Sequence, residues 1–244
     1  MPVVRPVRPS RSASPGRRGL SKLLELLSEL DVEVDVQLFE LSLTHRSYAY
    51  EAGKIPSNER LEFLGDAVLE IVVTDHIFRT YPELAEGELA KLRSSVVSAV
   101  ALARVARSLE IGPLIKLGKG EIATGGSDKK SILADTTEAI IGCIYLSQGM
   151  DAASRFIHHV IDPLILEVVE AGEYADFKTV VQERCAQHGW KLAYEVEGSG
   201  PDHDRHYVAT VRIDGVARGT GKGTNKRRAE QLAAKEAVAA LGDA

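Results

Sequence analysis

Asn58-Glu59-Arg60-Leu61-Glu62-Phe63-Leu64-Gly65-Asp66-Ala67-Val68-Leu69 sets acids among large apolar residues in a helical rhythm, and the run continues apolar to Phe78. On a helix Glu59, Glu62 and Asp66 fall at i, i+3 and i+7 and share one face. Their neighbours Leu61, Phe63, Leu64, Val68 and Leu69 belong in a core. Three like charges on a largely buried helix repel one another unless something positive sits among them. Arg60 is one candidate and a divalent cation is the other; a merely solvated acidic face is the plain alternative. Gly65 costs a helix about 1 kcal/mol against alanine, so it marks a place where another backbone comes close.

Asp135-Thr136-Thr137-Glu138 repeats the theme inside a second apolar run, Ile132-Leu133 before it and Ala139-Ile140-Ile141 after. Asp135 and Glu138 are i, i+3 neighbours. Read locally they form a capping box at a helix start. Read together with the first run they build a metal site: Glu62 and Asp66 facing Asp135 and Glu138 would give the oxygen ligands that Mg²⁺ prefers. Divalent ions at such a site activate water and neutralise the leaving oxygen of a phosphodiester.

Working outward, the pattern stays helical from Leu20 to about Glu170. SKLLELLSEL, ELAKLRSSVVSAVALARVARSL and DAASRFIHHVIDPLILEVVE each read as one helix, with turns at Gly53/Pro56, Tyr81-Pro82, Gly112-Pro113, Gly125-Gly126 and Gly149. Residues 1–19 read as a disordered Pro/Arg/Ser tail, 20–171 as an all-α domain and 172–175 as a linker. Residues 176–244 form a small α+β module of order α-β-β-β-α, with an Asp214-Gly215 hairpin turn. The expected architecture is therefore multi-domain, all-α followed by α+β.

The net charge of −5 hides a strong asymmetry. Residues 1–18 carry five arginines and no acid, residues 19–174 carry 14 basic against 25 acidic residues, and residues 175–244 carry 11 against 10. So acidic a middle binds a polyanion only with cations between them. Arg218-Gly-Thr-Gly-Lys222-Gly-Thr-Asn-Lys226-Arg227-Arg228 has five bases and no acid and reads as a glycine-rich loop entering a helix. Such a place suits phosphate, although a solvated basic loop is the plain reading. It lacks the spacing of a Walker loop. No apolar stretch approaches the ~18 residues of a bilayer span, and the N-terminus has no apolar core of a signal peptide. Cys143 and Cys185 read as reduced thiols. The expected compartment is the cytoplasm.

NERLEFLGDAVL, with THRSYAYE (44–51) upstream and SILADTTEAIIGCIYL downstream, closely resembles the bacterial ribonuclease III family from about Leu20 to Leu241. The C-terminal module resembles a double-stranded-RNA-binding domain. The resemblance implies an endoribonuclease that hydrolyses duplex RNA with Mg²⁺, Mn²⁺ substituting, and leaves 5′-phosphate and 3′-hydroxyl ends. It implies a homodimer that cuts opposing strands, leaves short 3′ overhangs and processes ribosomal, messenger and some transfer RNA precursors. Neither a membrane nor a small-molecule cofactor is expected.

By the same resemblance Glu62, Asp66, Asp135 and Glu138 are the metal carboxylates, with Asp66 and Glu138 nearest the chemistry. Glu59 matches a supporting acid, and Glu86 another acid near the cleavage valley. Thr179 and Gln182 would enter one minor groove and His203 the next, while Lys226, Arg227 and Arg228 would hold phosphates; Lys222 is a weaker candidate. Trp190 and Tyr207 read as core. His45 and Ser47 match the family pattern in a structural role, and His76, His158 and His159 also read as structural. A non-catalytic duplex-RNA binder would need only residues 175–244 and leaves the carboxylates without a purpose. A nucleotide phosphohydrolase leaves the C-terminal module without one.

Overall fold

The computed structural model describes residues 15–172, 174, 176–201 and 205–242. Eleven α-helices and three strands are found among them. The helices before the strands are α1 (Pro15–Glu29), α2 (Val36–Ser42), α3 (Arg46–Glu51), α4 (Glu59–Thr80), α5 (Glu86–Val96), α6 (Ala99–Ser108), α7 (Lys119–Ala123), α8 (Lys130–Gln148), α9 (Met150–Ala171) and α10 (Phe177–His188). Strands β1 (Leu192–Ser199), β2 (His206–Ile213) and β3 (Val216–Gly223) and helix α11 (Lys226–Leu241) complete the chain. One compact unit gathers the residues up to Ala85 with Arg93–Ile165; a second gathers Glu86–Leu92 with Leu166 onward.

In the first unit α8 is the axis. Ile132, Leu133, Ala134, Thr136, Thr137 and the whole run Ala139–Ile144 are buried, so the helix is enclosed on nearly every side. It packs against α4, α6 and α2. The tightest approach is to α4. A Cβ on Gly65 would fall on the carbonyl oxygen of Glu138, and a Cβ on Gly142 would fall on the carbonyl oxygen of Leu61. Two glycines thus let the helices cross backbone against backbone. Asn58, just ahead of α4, fixes its start: it is buried, its N–H donates to Thr44 O at 2.8 Å and its Nδ2 to Ser42 O at 3.2 Å.

Three features differ from the sequence reading. The run from Glu88 to Leu109 is two helices, because the Ser98 hydroxyl accepts from Ala101 N–H at 3.3 Å and starts α6 afresh. Helix α1 begins at Pro15, inside the stretch read as tail; proline at a first helical position needs no donor of its own. The rest of that tail, 1–14, lies outside the described residues. Finally, Phe63, expected in the core, is 82% exposed, whereas Val216–Gly223 is the third strand of the expected α-β-β-β-α order.

The second unit carries an antiparallel sheet of order β1-β2-β3, its β2–β3 turn made by Asp214 (φ 49°) and Gly215 (φ 81°). Gly219, Gly221 and Gly223 face α11, and a Cβ on Gly219 or Gly221 would strike the backbone at Ala233. Ala229, Ala233 and Ala237 line the facing side of the helix and are buried. The glycines therefore serve packing, while Arg218, Thr220 and Lys222 alternate outward. Trp190 and Tyr207 pack against this core.

Among the described residues no helix is long and apolar enough to cross a membrane. Both cysteines are buried and unpaired. Gly142→Ala should cost about 1–3 kcal/mol by forcing α4 off α8. Urea denaturation of the variant checks this, and an unchanged midpoint contradicts the close crossing.

Candidate metal centre and nucleic-acid interface

The α4–α8 crossing determines which side chains meet. Carboxylate oxygens of Glu62, Asp135 and Glu138 all lie within 4.8 Å of one another. Asp66 is exposed and outside this triple, but its charge still raises the pKa of Glu138. Asp135 is the sixth residue of α8, in its second turn, so it does not cap the helix. The local alternative for Asp135 and Glu138 is thereby removed.

Burial pushes Glu138 up to about 8, and Asp66, Asp135 and Glu62 push the same way. Glu62 is raised by burial, then by Asp135 and Glu59. Burial also raises Asp135, opposed by His45 and Arg46. Oxygen donors this close, each resisting its own charge, fit a hard divalent cation. The positive neighbour is not Arg60 but Arg46, which also pairs with Glu59 at 3.7 Å. Glu59 in addition accepts from the Ser57 hydroxyl at 2.7 Å, which holds it beside the centre and out of the triple.

Further neighbours escaped the sequence reading. Glu70 lies one turn beyond Asp66 and raises Glu138, and it is held by Arg93 at 3.0 Å. Glu121, which pairs with Lys129 at 2.6 Å, acts on His45. The i+4 step from Asp66 to Glu70 is legible in the chain, whereas Arg46, Glu121 and Lys129 come from separate segments. His45 is structural, as expected: its Nδ1 accepts from Ser47 N–H at 3.2 Å and caps α3, and burial lowers its pKa. The Ser47 hydroxyl in turn accepts from Gly118 N–H at 2.9 Å. Glu86 opens α5, exposed, and belongs to the second compact unit.

In that second unit Thr179 and Gln182 are exposed at i, i+3 on α10. Asp176 caps the helix, accepting from Thr179 N–H at 3.3 Å and from Gln231 Nε2 at 3.0 Å. Asn225 caps α11, its Oδ1 accepting from Arg228 N–H at 2.9 Å. Lys226, Arg227 and Arg228 are therefore the first three residues of that helix, with no acid in the turn. Cations there oppose the helix dipole by about 0.3–1 kcal/mol each. Free amides, dipole and three cations together make a place for phosphate. His203, the remaining expected RNA contact, lies outside the described residues.

A family model described as ribonuclease-III-like matches residues 35–164, and one for the double-stranded RNA binding motif matches 177–241. The protein named Ribonuclease 3 of Streptomyces coelicolor is 50% identical over 230 residues, 94% of this chain and 83% of its own. Its namesake in Thermobifida fusca is 51% identical over 222 residues, 91% of this chain and 92% of its own. Among solved structures, the nuclease domain of ribonuclease III from Campylobacter jejuni, described for flexibility in a region involved in dimer formation, is similar. It has a TM-score of 0.53 and 40% identity, covering 57% of this chain and 95% of that one.

The raised Glu138 has a consequence for stability. Between its unfolded value of 4.5 and about 8 the folded chain holds a proton that the unfolded chain has released. Without divalent ions, stability should therefore fall as pH rises through that window. Glu138→Gln should lessen the fall and stabilise the ion-free protein at high pH by about 1 kcal/mol, roughly 2–4 °C in Tm. Thermal melts at pH 5 and pH 9 in EDTA check it, and equal pH slopes in both proteins refute it.

Proposed function

This chain belongs to the ribonuclease III family and is an endoribonuclease acting on double-stranded RNA, and from that premise we propose that it hydrolyses the duplex with Mg²⁺ held by Glu62, Asp66, Asp135 and Glu138. The observation that carries the reading is the convergence of Glu62, Asp135 and Glu138 where α4 and α8 touch. Mg²⁺ there would activate water and stabilise the charge on the leaving oxygen, with Mn²⁺ as its natural substitute.

The side chains divide the work. Glu138, the acid most resistant to charge, is best matched to a cation and would hold it once its proton is lost. Glu62 and Asp135 complete the oxygen set, and exposed Asp66 stands on the solvent side, where substrate arrives. Arg46 offsets part of the acidic field and keeps the centre open to a polyanion. The products carry 5′-phosphate and 3′-hydroxyl ends. In the C-terminal module Lys226, Arg227 and Arg228 grip phosphates, Thr179 and Gln182 enter a minor groove, and His203 is assigned to the next. Domain limits of 20–171 and 176–244 suit this division. Ribosomal, messenger and transfer RNA precursors are the proposed substrates, and the cytoplasm their compartment.

Two variants separate the halves. Glu138→Ala should abolish Mg²⁺-dependent cleavage of a long duplex, as EDTA should, yet leave duplex binding within about threefold. Replacing Lys226, Arg227 and Arg228 by alanine should weaken binding and make its salt dependence shallower by about two units of log–log slope. Residual cleavage near the parent rate in Glu138→Ala, or an unchanged salt slope in the triple variant, contradicts these assignments.

The same reading makes the chain a homodimer. Helix α4 buries one face, but Phe63, Ile71 and Phe78 on another are 82%, 55% and 67% exposed. Three such side chains in line on one helix fit a self-complementary partner better than water. Phe63→Asp with Phe78→Asp should weaken association by about 100-fold or more, since burying each ring is worth about 1.5–3 kcal/mol. Sedimentation should then show monomers at micromolar concentration, and a parent-like mass refutes the interface.

A further inference from the structure

The C-terminal half of α4 carries a second constellation that the nuclease reading does not use. His76 on α4 meets His158 and Asp162 on α9. Their donor atoms lie within 4.8 Å of one another, and all three side chains are partly buried. His76 Nε2 is 3.6 Å from Asp162 Oδ1, and His158 Nδ1 is 3.1 Å from the same oxygen. The imidazoles meet edge to face, centroids 4.8 Å apart at 68°.

These spacings match a coordination polyhedron. Two ligands each about 2.1 Å from a tetrahedral ion lie about 3.4 Å apart, close to the two distances from Asp162. His158 and Asp162 stand at i, i+4 and so face one point from a single helix, while His76 approaches from another. The adjacent His159 is outside the cluster. The nearby acid Asp75 is held by Arg79 at 2.8–2.9 Å, so it does not compete. Exposure of 27–38% leaves the three ligands reachable from solvent.

We propose that His76, His158 and Asp162 form a second metal site, distinct from the carboxylate centre, that takes a transition ion, zinc first, and clips α4 to α9. Fourteen residues separate His76 from Glu62 on α4, which places the sites roughly 20 Å apart along the helix. Two imidazole nitrogens and one carboxylate oxygen select zinc and its neighbours over Mg²⁺, which wants oxygen throughout. Binding places the imidazole proton of His158 on Nε2 and gives the Nδ1 lone pair to the ion, with water in the fourth position. The ion binds the folded arrangement and not the unfolded chain, so it acts as a staple rather than a reactant.

The test uses the full chain stripped of metal by chelation, then dialysed against zinc alone. The intact chain should hold one zinc more per chain than His158→Ala or His76→Ala, with affinity lowered at least about tenfold in either variant. Both variants should keep parent-like Mg²⁺-dependent cleavage of duplex RNA, and only the intact chain should gain thermal stability on adding zinc. A histidine-resolved NMR titration of the intact chain covers the case in which a variant misfolds: zinc should move the His76 and His158 ring signals and Mg²⁺ should not. Equal zinc uptake in intact and variant chains, or ring signals that zinc leaves in place, overturns the proposal.

Discussion

Everything at the carboxylate centre depends on two glycines. Gly65 and Gly142 carry no Cβ where each would collide with the opposite helix, so α4 and α8 cross at backbone contact. That contact carries Glu62 from one helix into the company of Asp135 and Glu138 from the other. Side chains of ordinary size at the crossing would hold the axes about 8–10 Å apart and the carboxylates with them. The repulsion among the acids is the counterpart of this closeness. It adds to burial, the larger cause, in driving the pKa of Glu138 to about 8.

The C-terminal module uses the same device for another end. Gly219, Gly221 and Gly223 let α11 settle on β3, with the buried Ala229, Ala233 and Ala237 facing them. The helix thereby ends its approach with three cations and a capped N-terminus directed to solvent. A basic helix start is locally unfavourable, and a bound phosphate would offset that cost. In both units, then, a packing solution made by glycine fixes the place of charged groups that packing alone would not choose.

Much of this was legible in the chain. The i, i+3, i+7 spacing of Glu59, Glu62 and Asp66 assigned them to one helix, and Gly65 inside that helix announced a close neighbour. Asp214-Gly215 gave the hairpin, and Trp190 and Tyr207 were read as core where they indeed pack. The misreadings have local causes. Phe63 was expected in the core for its apolar side chain, although its place two residues after buried Leu61 puts it on the opposite face of the helix. The break at Ser98 was hidden because its neighbours on either side continue the helical rhythm, and only the cap hydrogen bond shows that one helix ends and another begins.

The order of residues thus determined by itself the helical class of the first domain, the α-β-β-β-α order of the second and the two acidic helix faces, Glu59/Glu62/Asp66 and Asp135/Glu138, since each is a matter of spacing along one element. It could not separate Glu62, in the triple, from Glu59, held aside by Arg46 and Ser57, because both occupy the same helical face. Nor could it choose between a cap and a ligand for Asp135, or bring His76 to His158 and Asp162, which are more than eighty positions away in the chain. Those outcomes depend on where one helix crosses another, and a crossing is decided by three-dimensional packing that no periodicity within a single segment encodes.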